Sequence, residues 1–301
     1  MKKKNILIVG GTGFIGFHLA KKCIKKGYLV TSISSNKPSK TRLIKNVKYL
    51  ICDVRNYHLL TKTIKRSYNY VVNLSGYVDH SKKKITFQSH FYGCKNLANI
   101  FKHKKIESFI QLGSSLEYGN IKSPQKENSK CKPRSIYGKS KFMATKYLKK
   151  LFVKNNLPVN ILRLYQAYGP NQTPNRLIPL VIKSCLNKNK FDCSDGKQIR
   201  DFIYIDDLIN LIIKIFNSKK HYGEIINVGS GRPIKIKKII QLINKIIKSG
   251  EPNFGKIKMR KDEITSMYPN INKAKKLFNW EPKIKILIGL KKTIKFYDKN
   301  K

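Results

Sequence analysis

The chain has 301 residues, 41% of them hydrophobic and 27% charged, a balance that excludes a disordered protein and allows a substantial core. Its 64 lysines and arginines outnumber its 16 aspartates and glutamates and give a formal net charge of +48. These basic side chains are scattered over nearly every predicted helix. A composition-wide lysine bias therefore explains the positive charge better than a specific nucleic-acid or membrane surface does.

The cysteines and the N-terminus indicate a cytoplasmic protein. The six cysteines include no CxxC pair, which favours reduced thiols over disulfides or a metal site. The first four residues resemble the charged start of a signal peptide, but the apolar stretch after them stops at Val9. Nothing in the sequence is long and apolar enough to predict export or a membrane span.

The first predicted strand, Ile6 to Val9, leads into the turn Gly10-Gly11-Thr12-Gly13-Phe14-Ile15-Gly16, which opens a helical pattern. A glycine-rich turn between a strand and a helix is typical of a site for a dinucleotide pyrophosphate, although an isolated match can be a plain tight connection. Gly10 would make the turn, Gly13 would let phosphate approach the backbone, and Gly16 would let the helix pack on the strand.

The helix that follows the turn supplies a second reason to expect an anion here. Backbone amides at a helix start have no partner within the helix and carry the positive end of its dipole. The amides around Phe14 and Ile15 are therefore expected to hold the phosphates.

Apolar runs of strand length alternate with longer helical patterns, which is the rhythm of a parallel sheet covered by helices on both faces. The runs are Ile6 to Val9, Leu29 to Ile33, Val47 to Ile51, Tyr70 to Leu74, Phe109 to Leu112 and Val159 to Leu164. The sequence thus predicts a doubly wound α/β fold of the Rossmann type.

Three residues of the middle region form a candidate reacting group. Ser114 follows the strand-like run at 109–112, at the edge where open α/β sheets place their ligands. Tyr137 and Lys141 stand four residues apart in a helical segment and share one face, so the ammonium is expected to lower the phenol pKa. Taken singly, Ser114 could be only a capping serine, and the pair only an exposed helix face.

The chain after Asn171 has shorter elements broken by prolines and glycines, which predicts a smaller lobe. We place the dinucleotide-binding domain at 1–170 and the substrate-binding lobe at 171–301, with a soft boundary. A strand-like run near 224–230 is expected to return to the first domain.

At this point the sequence resembles the extended short-chain dehydrogenase/reductase family, in its nucleotide-sugar epimerase, dehydratase and reductase branch. The resemblance covers almost the whole chain. Its matching stretches are Gly10 to Gly16, Asp53-Val54-Arg55, Asn73 to Gly76, Gly113-Ser114-Ser115 with Glu117-Tyr118-Gly119, Tyr137 to Lys141, Arg163 to Pro170, and Arg200 to Asp207.

The resemblance implies roles for several of these positions. Tyr137 would be the general acid/base, Lys141 would also bond the nicotinamide ribose, and Ser114 would contact the sugar oxygen. Asp53, with Val54 beside it, would meet the adenine, although Asp53 could instead cap the helix that begins near Asn56.

Two arginines would bind the diphosphate of the substrate's nucleotide. Arg200 matches one such position, and its planar guanidinium suits bidentate contact with phosphate. A salt bridge to Asp201 or Asp206 is the alternative for its side chain. Arg260, in the stretch Met259-Arg260-Lys261-Asp262, resembles a second phosphate contact.

The second strand departs from the pattern of enzymes that prefer NAD, because it ends in Ser34-Ser35-Asn36-Lys37 without an acid. No carboxylate would repel a 2′-phosphate, and Ser34 and Lys37 could bind one. Either NAD or NADP is therefore admissible.

Two further departures bear on the reaction. Dehydratases of this family place an Asp-Glu pair directly after the active-site hydroxyl residue, but this chain has Ser115-Leu116, and Glu117 lies one place too far along. Related epimerases usually have asparagine where this chain has His90, which could touch the active site or be a satisfied helix residue.

The sequence therefore predicts an NAD(P)-dependent nucleotide-sugar epimerase or 4-ketoreductase and disfavours a 4,6-dehydratase. The alternative is a catalytically silent Rossmann protein that binds RNA or senses redox state. The resemblance also implies a homodimer formed through two helices, here Ile85 to His103 and Ser135 to Lys154. The nucleotide and the sugar are not determined by the sequence.

Overall fold

The computed structural model of the protein describes residues 3–77, 79, 81–218, 220–259 and 263–299. The strands are β1 Asn5–Val9, β2 Leu29–Ser34, β3 Val47–Ile51, β4 Tyr70–Asn73, β5 Ser108–Ser114, β6 Val159–Leu164, β7 Gln166–Tyr168, β8 Lys190–Asp192, β9 Ile199–Tyr204, β10 Glu224–Val228, β11 Pro233–Lys235, β12 Glu251–Asn253 and β13 Ser266–Met267.

The helices are α1 Phe14–Lys25, α2 Tyr57–Thr63, α3 Lys83–Phe87, α4 Gly93–Phe101, α5 Ile136–Asn155, α6 Leu177–Leu186, α7 Ile205–Phe216, α8 Ile236–Ile247, α9 Asn272–Phe278 and α10 Ile286–Lys299. A π-helical turn, Gln88–Tyr92, joins α3 to α4. Short 3₁₀ turns occupy Lys40–Arg42 and Ser115–Glu117.

Seven parallel strands form the central sheet in the order β10-β6-β5-β4-β1-β2-β3, which confirms the predicted doubly wound α/β fold. Successive residues of β1 enter different cores: Ile6 and Ile8 pack on the face of α1 and α7, whereas Leu7 and Val9 pack on the face of α4 and α5. Burial on both faces explains why these strands lack polar alternation.

The strand order reverses between β1 and β4, because the chain first builds β2 and β3 on one side and then crosses to the other. Open α/β sheets bind ligands in the crevice at such a reversal, beyond the carboxyl ends of the strands. Gly10 follows β1 there and Leu74 follows β4, so the turn and the end of β4 face each other.

A smaller sheet is built on β9, which pairs with β11 in antiparallel and with β7 and β13 in parallel orientation. β10 follows β9 in the chain but lies in the central sheet beside β6. The chain therefore passes between the two sheets more than once, and the division at residue 170 stays a prediction.

Helix α5 carries the predicted Tyr-Lys pair and is well delimited by the sequence. The Ser135 hydroxyl accepts a hydrogen bond from Gly138 N at 3.1 Å and caps its start. Asn156 ends it in the left-handed conformation, with φ 52°, and Pro158 follows soon after.

Within the described ranges, no helix is both long and apolar enough to cross a membrane.

Candidate active site

Three positions of the glycine turn have different backbone surroundings, which explain why each is a glycine. Gly10 has φ +85°, and a Cβ there would lie 2.9 Å from Leu74 O. A Cβ on Gly16 would lie 2.4 Å from Gly10 O, so Gly16 lets the start of the helix pack against the turn that ends the first strand. The sequence had predicted contact with the strand for this residue. Gly13 has only one near neighbour, Gly10 O at 3.3 Å from its would-be Cβ.

Gly13 is the N-cap of α1, and no side chain caps this helix. The space that a Cβ would fill is open, and the first amides of α1, at Phe14, Ile15 and Gly16, lie at the positive end of the helix dipole. A dinucleotide pyrophosphate fits such a cradle.

The end of β2 borders the same turn. Ser34 is 8% exposed, and its hydroxyl accepts a hydrogen bond from Thr12 N at 3.2 Å. Arg42, from the 3₁₀ turn after β2, donates to Thr12 O at 3.3 Å and to Asn171 O at 2.7 Å. Arg42 thus joins the glycine turn to the loop after β7; its only signal in the sequence was an arginine in a lysine-rich chain.

Asp53 and Val54 follow β3, as predicted. The Asp53 carboxylate pairs with the guanidinium of Arg55 at 2.6 Å and accepts the Arg55 amide at 2.9 Å. The cap of α2 is Asn56, whose side chain accepts from Leu59 N at 2.9 Å, so the alternative that Asp53 caps this helix is wrong. Val54 is buried under Gly93, at which a Cβ would lie 2.6 Å from Val54 Cγ2.

Ser114 lies at the carboxyl end of β5 and serves two purposes. Its hydroxyl accepts a hydrogen bond from Leu116 N at 3.2 Å and caps the 3₁₀ turn, as the alternative interpretation of this residue had it. The same side chain lies close enough to the phenol of Tyr137 to favour its ionised form. The structure therefore brings Ser114 and Tyr137 together although 23 positions separate them.

Lys141 lies one helical turn beyond Tyr137, on the same face of α5. Its ammonium donates to Leu112 O at 2.7 Å and lies 5.9 Å from the centre of the Tyr137 ring. The side chain is almost fully buried, and this desolvation lowers the pKa of Lys141 from 10.5 to about 8.

The pKa of the Tyr137 phenol is raised, mainly by burial and further by the charge of Glu117. The Ser114 side chain and the Arg176 charge act in the opposite direction but do not prevail. The expected lowering of this pKa by Lys141 is therefore wrong for the protein alone, because desolvation of the phenolate outweighs the favourable contacts.

His90 lies in the π-helical turn and contacts the site. Its ring meets the Tyr137 ring edge-on, with 4.8 Å between centroids, and its Nε2 lies 3.1 Å from Tyr77 O. Of the two interpretations, the structure supports contact with the candidate site, since His90 packs on the candidate acid/base.

Glu117 is a buried acid whose function the sequence did not reveal. Its carboxylate forms a salt bridge with Arg163 at 3.0 Å and accepts from Ser114 N at 2.9 Å. Ser114 is three residues away, the spacing of a capping box, which was the one signal in the sequence. Only the fold brings Arg163 to the carboxylate.

Arg200 lies on β9 and is 7% exposed. Its guanidinium donates to Ile199 O at 2.8 Å and pairs with Glu263. The alternative of a salt bridge to Asp201 or Asp206 names the wrong partner, since Asp201 instead accepts from Ser230 and Arg232. Arg260 lies outside the described residues. In the part of the chain that the structure describes, no group of acids, histidines and cysteines could hold a metal ion.

The lowered pKa of Lys141 predicts a pH-dependent stability difference between the wild type and Lys141→Met. Between pH 8 and 10.5 the folded state releases this proton while the unfolded state keeps it, so the wild type gains stability as pH rises. The gain over the whole window is about 3 kcal/mol at one pKa unit per 1.36 kcal/mol. Urea unfolding at pH 7, 8, 9 and 10 measures it, and a difference that does not change with pH contradicts the assignment.

Comparison with known proteins places these features in a family. The family model described as NAD dependent epimerase/dehydratase family matches residues 6–229. The chain is 28% identical to CDP-abequose synthase of Salmonella muenchen over 309 residues, covering 97% of each protein. It is also 28% identical to human dTDP-D-glucose 4,6-dehydratase over 320 residues, covering 99% of this chain and 91% of that protein.

Among solved structures, the chain is similar to UDP-glucuronic acid 4-epimerase of Bacillus cereus in complex with UDP-glucuronic acid and NAD. The TM-score is 0.87 at 26% identity, and the match covers 99% of this chain and 100% of that one. The two chains thus share one fold over almost their full length.

Proposed function

The chain belongs to the NAD-dependent epimerase/dehydratase family, and we propose that it transfers hydride at C4 of a nucleotide sugar, as an epimerase or a 4-ketoreductase. The observation that carries the proposal is the grouping of Ser114, Tyr137 and Lys141 at the carboxyl edge of the sheet that also holds the glycine turn. A hydroxyl, a phenol and an ammonium are the groups that proton transfer to a carbonyl oxygen requires.

When bound, the cofactor would supply the hydride acceptor and donor at C4 of its nicotinamide. Tyr137 would take the proton of the sugar's C4 hydroxyl during oxidation and return it when the carbonyl is reduced. Ser114 would hold the same oxygen, and Lys141, fixed by Leu112 O, would bind the nicotinamide ribose. The positive charge of the oxidised cofactor would favour the phenolate, against the burial that raises its pKa.

The side chains after Ser114 support hydride transfer without loss of water. Leu116 has no acid/base group, and the Glu117 carboxylate is 0% exposed and paired with Arg163. Elimination of water from a sugar needs further acid/base groups at the substrate, and none follows Ser114 here. We therefore propose that the enzyme is not a 4,6-dehydratase, although one of its relatives carries that name.

The residues at the end of β2 support binding of either dinucleotide. Ser34 bonds to the glycine turn in place of an acid, and the exposed Lys37 follows within the same segment. Without a carboxylate no charge repels a 2′-phosphate. Asp53 and Val54 are proposed to border the adenine, and Asp53 would keep its pairing with Arg55.

Arg200 is proposed to bind the diphosphate of the nucleotide sugar, with Arg260 as a second contact outside the described residues. The buried guanidinium of Arg200 is already positioned by Ile199 O. Its partner Glu263 is about a quarter exposed and would have to yield one of the guanidinium nitrogens to phosphate.

A panel of nucleotide sugars, offered with NAD, NADP and their reduced forms, tests the proposal. We expect turnover detectable by nicotinamide absorbance with a 4-keto sugar, or by product analysis with a 4-hydroxy sugar. Interconversion of two C4 epimers without net cofactor use indicates the epimerase, and stoichiometric oxidation of the reduced cofactor indicates the ketoreductase. Turnover with none of them, together with tight RNA binding at physiological salt, would establish the catalytically silent alternative.

We also propose a homodimer formed through the helix of residues 83–101 and α5, which pack on each other in the subunit. Tyr92, Met143 and Val153 expose 46%, 39% and 75% of their surface on these two helices. Exposed apolar side chains on adjacent helices are typical of an interface. Light scattering is expected to give twice the 34.8 kDa chain mass, and a monomer at micromolar concentration contradicts the proposal.

A further inference from the structure

Glu117 connects β5, α5 and β6 next to the candidate reacting group. One carboxylate oxygen accepts from Ser114 N at 2.9 Å, at the end of β5. The other accepts from Thr145 Oγ1 at 2.8 Å, on α5, and from Arg163 Nε at 3.0 Å, on β6. We call this arrangement the Glu117 junction.

The junction reaches the helix that carries the acid/base. Tyr137, Lys141 and Thr145 follow one another at intervals of four along α5 and therefore lie on the same helix face. A hydrogen bond to Thr145 thus fixes the rotation and height of that face relative to β5. The same carboxylate also fixes the backbone of Ser114, because it accepts the hydrogen bond of the Ser114 amide.

The surroundings leave the Glu117 side chain no freedom to move. A Cβ on Gly113 would lie 2.6 Å from Glu117 Oε1, and Gly138 permits α5 to approach Leu116 O, which a Cβ would meet at 2.5 Å. The Arg163 guanidinium lies 4.4 Å from the centre of the Tyr118 ring. These close approaches explain why glycine occupies positions 113 and 138.

We propose that Glu117 is a positioning residue, which holds the Ser114 hydroxyl and the Tyr137–Lys141 face in register and sets their charge environment. The inference rests on the proposed function. A buried ion pair seldom adds net stability over apolar residues of the same size, so a role in geometry accounts better for its presence. The geometry needed is narrow, because displacement of a reacting group by about 1 Å can cost about 100-fold in rate.

The field of the carboxylate gives the proposal a signature of its own. Burial is the main influence on both groups, but the Glu117 charge raises the pKa of Tyr137 and that of Lys141. Removing this charge therefore moves the ionisation of the pair to lower pH. A residue that served only the stability of the fold would leave the pH profile unchanged.

The double variant Glu117→Gln/Arg163→Gln tests the inference without leaving a buried charge unpaired. We expect kcat to fall about 10- to 100-fold with little change in KM. The limb of the kcat/KM profile that reports Tyr137, which is the acidic limb for sugar oxidation and the basic limb for keto-sugar reduction, is expected to move to lower pH. Wild-type kcat, or a fall in kcat with that limb unmoved, overturns the inference.

Asp207→Asn is the matched control, since Asp207 is also a buried acid that accepts backbone amides, from Lys283 at 3.1 Å and Ile284 at 2.9 Å. It is expected to lower stability and to leave kcat and the pH profile unchanged. The same changes in both variants would assign the effect to general loss of stability and overturn the inference.

Thr145→Val serves if the double variant does not fold, because it removes only the 2.8 Å hydrogen bond to α5. We expect a several-fold loss of kcat at unchanged KM, and full activity overturns the inference. Crystal structures of the wild type and of either variant give a test that needs no turnover: the Ser114 Oγ to Tyr137 oxygen distance is expected to be longer in the variant. If the wild type turns over no nucleotide sugar, the proposed function fails, and an unchanged distance is then what overturns the Glu117 junction.

Discussion

Replacing Tyr137 by phenylalanine is expected to lower kcat by about 100- to 10,000-fold, the range that general acid/base groups contribute. The phenyl ring keeps the edge contact with His90 and the place of the ring beside Lys141, so only the oxygen that exchanges the proton is lost. Steady-state kinetics with the best substrate of the panel measures the effect. Dinucleotide affinity and thermal stability should stay at wild-type values.

Tyr147→Phe is the control for this substitution. Tyr147 lies on the same helix but on another face, and its hydroxyl donates to Asn99 Oδ1 at 2.6 Å. The substitution Tyr147→Phe also removes one phenol oxygen from α5. It should change kcat less than about twofold, because substitutions away from the functional groups usually have small effects. If Tyr137→Phe retained more than a tenth of wild-type kcat, Tyr137 would not be the acid/base.

Gly13→Ala is expected to weaken dinucleotide binding about 10- to 100-fold while the protein stays folded. The backbone of Gly13 has φ −75° and ψ 173°, which alanine adopts freely, and the new methyl group meets only Gly10 O, at 3.3 Å. The methyl group fills the space proposed for the pyrophosphate, and hydrogen bonds to a charged group are each worth about 1.5–3 kcal/mol. Fluorescence titration with NADH and NADPH measures the loss.

Gly16→Ala separates loss of the ligand from loss of the fold. Its methyl group would lie 2.4 Å from Gly10 O and 2.5 Å from Gly11 Cα, both backbone atoms, so the turn must shift. We expect a lower thermal midpoint as well as weaker binding. Wild-type affinity in Gly13→Ala would exclude the phosphate site at this turn.

Local patterns carried much of the outcome. The six apolar runs became β1 to β6 within about two residues, because a strand covered on both faces is mostly apolar and lacks polar alternation. The glycine turn was readable because strand, turn and helix follow one another directly in the chain. The spacing of Tyr137 and Lys141 was readable because residues four apart on a helix share a face.

Contacts between distant parts of the chain were not readable in this way. Glu117 was judged only by its distance from Ser114 in the sequence, yet its charge is balanced by Arg163, on the neighbouring strand. Arg200 pairs with Glu263, whereas the alternative to phosphate binding had named the nearby Asp201 and Asp206 as its partners. A strand directs successive side chains to opposite faces, so nearness in sequence is a poor guide to pairing.

The sequence by itself determined the doubly wound α/β fold, the glycine turn between β1 and α1 and the identity of the candidate reacting residues, because each depends on periodicity or spacing within one short segment. Only the tertiary structure decided how those residues are charged and held. Burial, which no local pattern measures, raises the pKa of Tyr137 and lowers that of Lys141 to about 8. The Glu117 junction likewise exists only because folding brings β5, β6 and α5 together around one carboxylate.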